Sequence, residues 1–158
     1  LQKENLRLDT WISGIAGAFR VKQPEVELIL NNGLEGSMAL LDEVHLSTAV
    51  NNLLTNAVKY GQKPCVIELH ASSSHGQLRI AVSDNGPGIR KDELRHVFEK
   101  FFRGHESKKR VIRGLGLGLY YVKQIVEAHG GTITVRSIPE KGTTFIIQIP
   151  MQYGSITG

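Results

Sequence analysis

The sequence predicts a two-layer α/β (α+β) sandwich, in which a mixed, largely antiparallel sheet is covered on one face by about three helices. Its periodic segments follow the order helix, hairpin, helix, hairpin, loop, helix, hairpin. This order pairs neighbouring strands antiparallel in places and leaves helices that each need to bury one apolar face. A doubly wound parallel sheet would need regular alternation of strands and helices, which is missing. The length of 158 residues suits one domain with one core.

The first third of the chain predicts a helix, a hairpin and a second helix. Residues 1–21 have apolar side chains at helical spacing, and residues 25–30 and 37–41 resemble two short strands around the turn signal at 31–33. Asp42 is a suitable N-cap for a long helix over 43–60, which Gly61 and Pro64 end.

The rest of the chain predicts two hairpins and two more helices. Strands over 65–71 and 78–82 are joined by a turn at 74–76, and a loop rich in helix breakers follows at 84–88. Residues 91–97 predict a short helix and residues 115–129 a longer one, separated by a basic stretch at 103–113. Strands over 132–137 and 143–149 then precede a frayed tail at 151–158.

Composition narrows the class of ligand. The formal net charge is +4, and much of the surplus lies within residues 103–113. Such a local basic loop favours a phosphate-bearing small ligand over nucleic acid, which needs a longer basic stripe.

Cys65 is the only cysteine, which excludes an intrachain disulfide and a cysteine-based zinc site. No apolar run approaches the roughly 20 residues that span a bilayer, so we expect no direct membrane contact. The first residue is not Met, and we expect an excised fragment.

The helix predicted over 43–60 carries an unusual polar stripe. Asn52, Asn56 and Lys59 follow each other at i, i+4 and i+7, away from the apolar side. Two carboxamides and an ammonium group in one line offer oxygen ligands to a hard cation and positive charge to phosphate. The alternative is a solvated polar face. Asparagine is a poor helix former, however, so two asparagines on one stripe need a reason other than helix stability.

Two glycine clusters also suggest ligand binding. In the loop at 84–88, Gly86 and Gly88 allow close approach of the backbone to a ligand, and Asp84 offers an acceptor carboxylate at the end of a strand. In the second cluster, Gly114, Gly116 and Gly118 open a helix, where bare N–H groups attract anions. Each pattern alone is weak, and neither is a dinucleotide fingerprint or a P-loop.

In this order, the segments resemble the motifs of histidine kinase catalytic domains, in the superfamily that includes gyrase, Hsp90 and MutL. The N box is similar to residues 52–60, the first glycine box to 84–89 and the F box to 97–103. The second glycine box is similar to 114–119, and the last to 142–145. The resemblance covers about residues 42–150. It implies the Bergerat fold, with residues 1–21 as the end of a dimerisation-hairpin linker and a lead-in helix. Residues 22–150 would be the ATP-binding domain, with a mobile ATP lid at about 99–113.

The resemblance also implies roles for single residues. Asp84 would accept the adenine amino group, with support from Thr143. Asn56 and Asn52 would hold Mg²⁺ against ATP, and Lys59 and Arg103 would neutralise phosphate charge during catalysis. Tyr60 would lie near the base or sugar, and Phe98, with Phe101 and Phe102, would anchor the lid. The remaining expected nucleotide contacts are Gly86, Gly88, Ile89, Gly114, Leu115, Gly116, Leu117, Gly118 and Leu119.

Two positions depart from relatives in this superfamily. Relatives that hydrolyse ATP carry a glutamate where this chain has Asn52, so we expect slow hydrolysis and transfer of the γ-phosphoryl group to another acceptor. In some histidine kinases a polar residue of the second glycine box reaches the metal. This chain has Leu115 there, which cannot do so. Among the histidines only His105 precedes an acid, and it is interpreted as a solvated loop residue rather than a phosphoacceptor.

The resemblance implies a histidine protein kinase whose phosphoacceptor hairpin lies elsewhere in the same protein. It also implies a response regulator receiver domain as partner, a homodimeric parent with a monomeric isolated domain, and a cytoplasmic location with possible anchoring of the parent in the inner membrane. The alternatives are an ATP-driven clamp or chaperone module, an anti-sigma-type serine kinase, and a nucleotide-sensing pseudokinase.

Overall fold

The computed structural model describes residues 1–104 and 116–152. It has the expected two layers, a mixed sheet and three helices. The strands are β1 (Glu4–Arg7), β2 (Glu27–Gly33), β3 (Met38–Leu41), β4 (Val66–Ser74), β5 (Gln77–Asp84), β6 (Thr132–Ile138) and β7 (Gly142–Pro150). The helices are α1 (Leu8–Lys22), α2 (Glu43–Tyr60) and α3 (Gly118–Ala128), and a short 3-10 helix spans Leu94–His96.

The main sheet has five strands in the order β2-β4-β5-β7-β6. β2 and β4 are parallel, and the other neighbouring pairs are antiparallel. Side chains alternate along β4, with Ile67, Leu69 and Ala71 buried while Glu68 and Ser72 are exposed. The helices pack on the apolar face: α1 contacts β2, α2 contacts β5 and α3, and α3 contacts β6 and β7. The predicted fold class is therefore confirmed.

The first predicted hairpin is wrong. β2 pairs in parallel with β4, and β3 pairs antiparallel with β1 in a separate two-stranded sheet. A parallel pair needs a long crossover, here β3 and α2, and local sequence patterns do not reveal such a connection. The turn signal at 31–33 lies inside β2, where Asn32 Nδ2 donates to Asp9 O at 3.0 Å and a Cβ on Gly33 would lie 3.2 Å from Ala71 O.

Three predicted helices also differ from the structure, two in where they begin and one in its type. The helix predicted from residue 1 begins at Leu8, because Glu4–Arg7 pairs with β3. The helix predicted over 91–97 is a series of turns around the 3-10 helix, since its bonds run mainly from residue i+3 to i, as from His96 N to Glu93 O at 2.9 Å. The helix predicted from 115 begins at Gly118, because Gly116 has a φ of +71°.

Asp42 forms hydrogen bonds with three parts of the fold: the start of α2, the N-terminus and the residue after α3. Its Oδ1 accepts the His45 N–H at 3.0 Å, which confirms the predicted N-cap of α2, and its Oδ2 accepts the Gln2 N–H at 2.7 Å. Its own N–H donates to His129 Nε2 at 3.1 Å, directly after α3. Asp42 is 3% exposed. Hydrogen bonds, first from the His45 N–H and then from the Gln2 N–H, hold the pKa of the carboxyl group well below its usual range, against the opposing effect of burial.

Replacing Asp42 with Asn should weaken the fold in a pH-dependent way. The folded-state pKa of Asp42 is lowered, so its stabilisation is present above the unfolded pKa of about 3.9 and disappears as pH falls toward the folded value. Asparagine caps a helix about as well as aspartate, but its NH₂ group would face the Gln2 N–H that Asp42 accepts. We therefore expect D42N to lose about 1 kcal/mol of unfolding free energy at pH 7. Urea unfolding at pH 7 and below pH 4 measures this difference, which should shrink in acid. The exposed Asp92 provides the control, and a pH-independent loss in D42N alone would contradict this role.

Candidate functional site

A cavity of about 330 Å³ opens between the C-terminal part of α2, the end of β5 and the start of β7. Sequence-predicted residues line it from each of these segments and from α3. They are Asn56, Tyr60, Asp84, Gly88, Ile89, Leu119 and Thr143. These residues are far apart along the chain, and the fold brings them around one space.

α2 presents its polar stripe because its opposite side is buried. Leu46, Val50, Leu53, Leu54 and Ala57 are fully or almost fully buried against the sheet and α3. This orientation leaves Asn52, Asn56 and Tyr60 half-buried and Lys59 exposed. Asn56 and Tyr60 line the cavity, whereas Lys59 lines a separate depression beside Pro64 and Cys65. Asn52 is not among the described lining residues of the cavity.

Asp84 is a half-buried acidic group of the site. Its Oδ1 accepts the Gly86 N–H at 2.8 Å. Burial raises the pKa of the Asp84 carboxyl group, and backbone hydrogen bonds from Gly86 and Thr143 partly oppose that rise. A half-buried carboxylate that the protein satisfies only in part retains lone pairs for a ligand that donates hydrogen bonds.

Glycines around Asp84 are required for close packing. A Cβ on Gly86 would lie 2.7 Å from Tyr60 O and 2.9 Å from Asp84 Oδ1. Gly88 has a φ of +81°, and a Cβ there would lie 2.6 Å from Ile138 O. Gly142 has a φ of +129°, and a Cβ there would collide with the Asp84 carbonyl oxygen. The first glycine loop therefore packs directly against the end of α2 and the β6–β7 turn.

Two of the three F-box phenylalanines, Phe98 and Phe102, are half-buried, and Phe101 is exposed. Phe98 packs edge-on against Phe145, with ring centroids 6.0 Å apart, and Phe102 is half-buried and lines the cavity. Phe101 is 62% exposed and its N–H donates to Gly116 O at 3.0 Å. Arg103 lies between two lining residues, Phe102 and Gly104. The segment thus joins the cavity wall to the second glycine cluster.

Part of the predicted site lies outside the described residues. Gly114, Leu115, His105 and most of the predicted lid belong to residues 105–115, and the end of the tail to 153–158. Of the second glycine cluster, Gly116, Leu117, Gly118 and Leu119 are described, and Leu119 lines the cavity.

Several lining residues were missed by the sequence analysis. Arg90 and Glu93 follow the first glycine loop, and Pro139 and Glu140 form the β6–β7 turn. Glu140 N donates to Pro87 O at 2.6 Å, which folds this turn onto the loop. The only available signal was the turn composition at 139–142, which does not show where a turn will pack.

Comparisons with known proteins indicate the family of this chain. The family model for histidine kinase-, DNA gyrase B- and HSP90-like ATPases matches residues 41–153. The sensor protein RprX of Bacteroides fragilis (strain YCH46) is 36% identical over 156 residues, which cover 96% of this chain and 30% of RprX. The chain therefore spans about three tenths of the length of this curated relative.

Two solved structures have a similar fold. The mycobacterial sensor histidine kinase MprB aligns with a TM-score of 0.80 and 27% identity, over 96% of this chain and 99% of that one. Full-length ShkA in complex with AMPPNP aligns with a TM-score of 0.82 and 25% identity, over 98% of this chain and 32% of that one. The chain therefore belongs to the family of histidine kinase-, DNA gyrase B- and HSP90-like ATPases, and it is similar to the ATP-binding domains of sensor histidine kinases.

Proposed function

We propose that the cavity binds Mg–ATP and that the domain donates the γ-phosphoryl group to a histidine on a separate helical hairpin of its parent protein. The observation that carries this proposal is that Asp84 and Asn56 line one cavity from opposite structural elements. Asp84 offers an acceptor to the amino group of a base, and Asn56 offers an oxygen ligand to a cation at the phosphates. The two residues therefore suit the two ends of a nucleotide. ShkA, of similar fold, is described in complex with AMPPNP.

The base end of the site is built from Asp84, Thr143 and the apolar residues around them. Asp84 would accept a hydrogen bond from the adenine amino group, and Thr143, 6% exposed, lies beside it in the same wall. Ile89, Val97 and Phe145 line the cavity as well, and they offer apolar contacts to a planar base.

The phosphate end would use α2 and the second glycine cluster. The Asn56 carboxamide oxygen suits Mg²⁺, which takes oxygen ligands and keeps several waters. Within the described residues no group of three or more His, Cys, Asp or Glu side chains can hold a metal, so amide, phosphate and water oxygens would complete the shell. Mg²⁺ bound there would neutralise triphosphate charge. Asn52, Lys59 and Arg103 remain proposed contributors, on the same stripe of α2 and at the end of the F box.

We favour phosphotransfer over hydrolysis because of Asn52. A carboxamide cannot accept the proton of an attacking water as a glutamate at this position would. The domain would then position ATP and neutralise its charge, while the accepting imidazole acts as its own nucleophile. A response regulator would be the next partner in two-component signalling. None of the helices in the described part of the chain has the length and apolar character needed to cross a membrane.

A labelling experiment separates the candidate functions. The chain is incubated with Mg²⁺, γ-labelled ATP and the parent's helical hairpin, expressed separately, with a histidine-to-glutamine hairpin as control. Acid-labile phosphate on the unchanged hairpin alone is the expected result. Rapid release of free phosphate would favour the clamp, acid-stable instead of acid-labile phosphate on the hairpin would favour the serine kinase, and bound ATP without transfer would favour the pseudokinase.

Replacing Gly142 with Ala should damage the site more than the fold elsewhere. The added methyl group would collide with the Asp84 carbonyl oxygen at a φ of +129°, which displaces the end of β5. We expect ATP affinity, measured by calorimetry, to fall at least about tenfold, with a loss of roughly 1–3 kcal/mol in unfolding free energy. An alanine at Gly36 would also have to adopt a positive φ, +72°, but the space around it is open. Unchanged affinity in G142A, or an equal loss in G36A, would contradict the expectation.

A further inference from the structure

Ser137 on β6 is the centre of a hydrogen-bond cluster behind the base end of the cavity. Its Oγ accepts the Ile89 N–H at 2.7 Å. The same Oγ lies 3.2 Å from Gly142 O and 3.0 Å from Thr143 Oγ1. Ile89 and Thr143 line the cavity, whereas Ser137 is not among its described lining residues. Ser137 therefore contacts two parts of the site from behind.

The proton count of this cluster favours one arrangement. A serine hydroxyl has one proton and two lone pairs, and a carbonyl oxygen only accepts. The contact with Gly142 O therefore uses the proton of Ser137, and the Ile89 N–H occupies one of its lone pairs. Thr143 then completes the cluster by donating its own proton to the remaining lone pair of Ser137. All three contacts are hydrogen bonds only in this arrangement.

The arrangement fixes what Thr143 offers to a ligand. With its proton directed at Ser137, the Thr143 hydroxyl presents lone pairs to the cavity. The Asp84 carboxylate beside it also accepts hydrogen bonds. Two acceptors at one place attract an amino group, which carries two N–H donors, and repel an oxo group.

We propose that Ser137 is a positioning residue that holds the Thr143 hydroxyl as an acceptor, so that the site selects 6-aminopurine over 6-oxopurine nucleotides. This inference rests on the proposed function, because it assumes that the cavity binds a purine nucleotide. It adds a residue outside the cavity wall to the groups that determine the choice of base. Ser137 acts here through Thr143 and does not touch the base.

A second hydroxyl pair provides a matched control. Ser137 and Thr143 are cross-strand partners between β6 and β7, and Ser83 and Thr144 are cross-strand partners between β5 and β7. The Ser83 and Thr144 hydroxyl oxygens are 2.7 Å apart. Thr143 and Thr144 are consecutive, so their side chains point to opposite faces of the sheet. Ser83→Ala thus removes a similar hydrogen bond one residue away without altering the cavity.

The test compares calorimetric affinities for Mg–ATP and Mg–ITP, since inosine carries an oxo group where adenosine carries the amino group. We expect the unchanged protein to prefer ATP. In Ser137→Ala the Thr143 proton is free to turn into the cavity and donate to the oxo group, so the ratio of ATP to ITP affinity should fall about tenfold. Ser83→Ala should keep the original ratio.

Thr143→Val tests the same inference without altering Ser137. It removes the acceptor, so the ratio should fall here too, and adding Ser137→Ala to it should change the ratio no further. An unchanged ratio in Ser137→Ala or in Thr143→Val, with ATP still bound, would overturn the inference and leave the proposed function intact. An equal shift in Ser83→Ala would also overturn it. If the unchanged protein binds neither nucleotide, the proposed function fails first.

Discussion

Replacing Asp84 with Asn should abolish most of the ATP affinity while leaving the fold intact. The introduced carboxamide would keep an oxygen for the Gly86 N–H, which Asp84 accepts at 2.8 Å, but its NH₂ group would face the adenine amino group. Two donors in contact leave buried polar groups unpaired, so we expect affinity measured by calorimetry to fall about hundredfold or more.

The same variant should be at least as stable as the unchanged protein at pH 7. Burial raises the pKa of the Asp84 carboxyl group, so the folded state holds its proton more tightly than the unfolded state and loses stability as pH rises through the raised value. Removing the charge relieves that cost, and the advantage of D84N should vanish as pH falls toward 4.

Asp9 supplies the matched control for D84N. Its carboxylate also accepts a backbone N–H, that of Thr10 at 2.8 Å, but it lies on α1 away from the cavity. Asp9→Asn should retain ATP affinity. Normal ATP affinity in D84N, or a loss of affinity caused only by unfolding, would contradict the assignment of Asp84 to the base.

Replacing Asn56 with Ala should remove the magnesium dependence of nucleotide binding. Asn56 lines the cavity from α2, and alanine has no amide oxygen to offer to a metal. We expect ATP affinity in Mg²⁺ to fall about tenfold or more, to the value measured without Mg²⁺, and phosphotransfer to the hairpin to disappear.

Asn51 provides the control on the same helix. It is exposed and lines a different cavity, between α1 and α2. Replacing asparagine with alanine at either position raises helix propensity by a similar amount, roughly 0.6 kcal/mol, so the two variants should gain stability equally. Phosphotransfer and magnesium dependence that survive in Asn56→Ala would show that the metal is held elsewhere.

Local patterns were sufficient to predict the parts of the fold that local interactions stabilise. Helix α2 begins after an Asp42 cap and ends at Gly61, as predicted, because both signals act within one turn of the helix. The β4–β5 and β6–β7 hairpins also form where short turns join alternating strands.

Long-range pairing was not visible in the sequence. β2 reaches β4 through a crossover, and its Asn-Asn-Gly sequence serves tertiary contacts, such as Asn31 Nδ2 to His70 Nε2 at 3.2 Å, instead of a turn. β1 is four residues long with one buried side chain, Leu6, which is too little alternation to predict a strand.

The sequence predicted the motif residues of the site but not the contacts that pack around them. Asp84, Asn56 and Thr143 were identified from motifs, and the structure places them around one cavity. The packing of the 139–140 turn on Pro87 and the Ser137 cluster depend on side chains and backbone groups that meet only after folding. Lys59 was predicted at the phosphates, and it lines a neighbouring depression in the described structure.

A calorimetric titration of the unchanged chain with ATP, in Mg²⁺ and again in excess EDTA, tests the account most directly. We predict saturable one-to-one binding in Mg²⁺ that weakens at least about tenfold when the metal is chelated. Absence of saturable binding in Mg²⁺, or the same affinity with and without the metal, would contradict it.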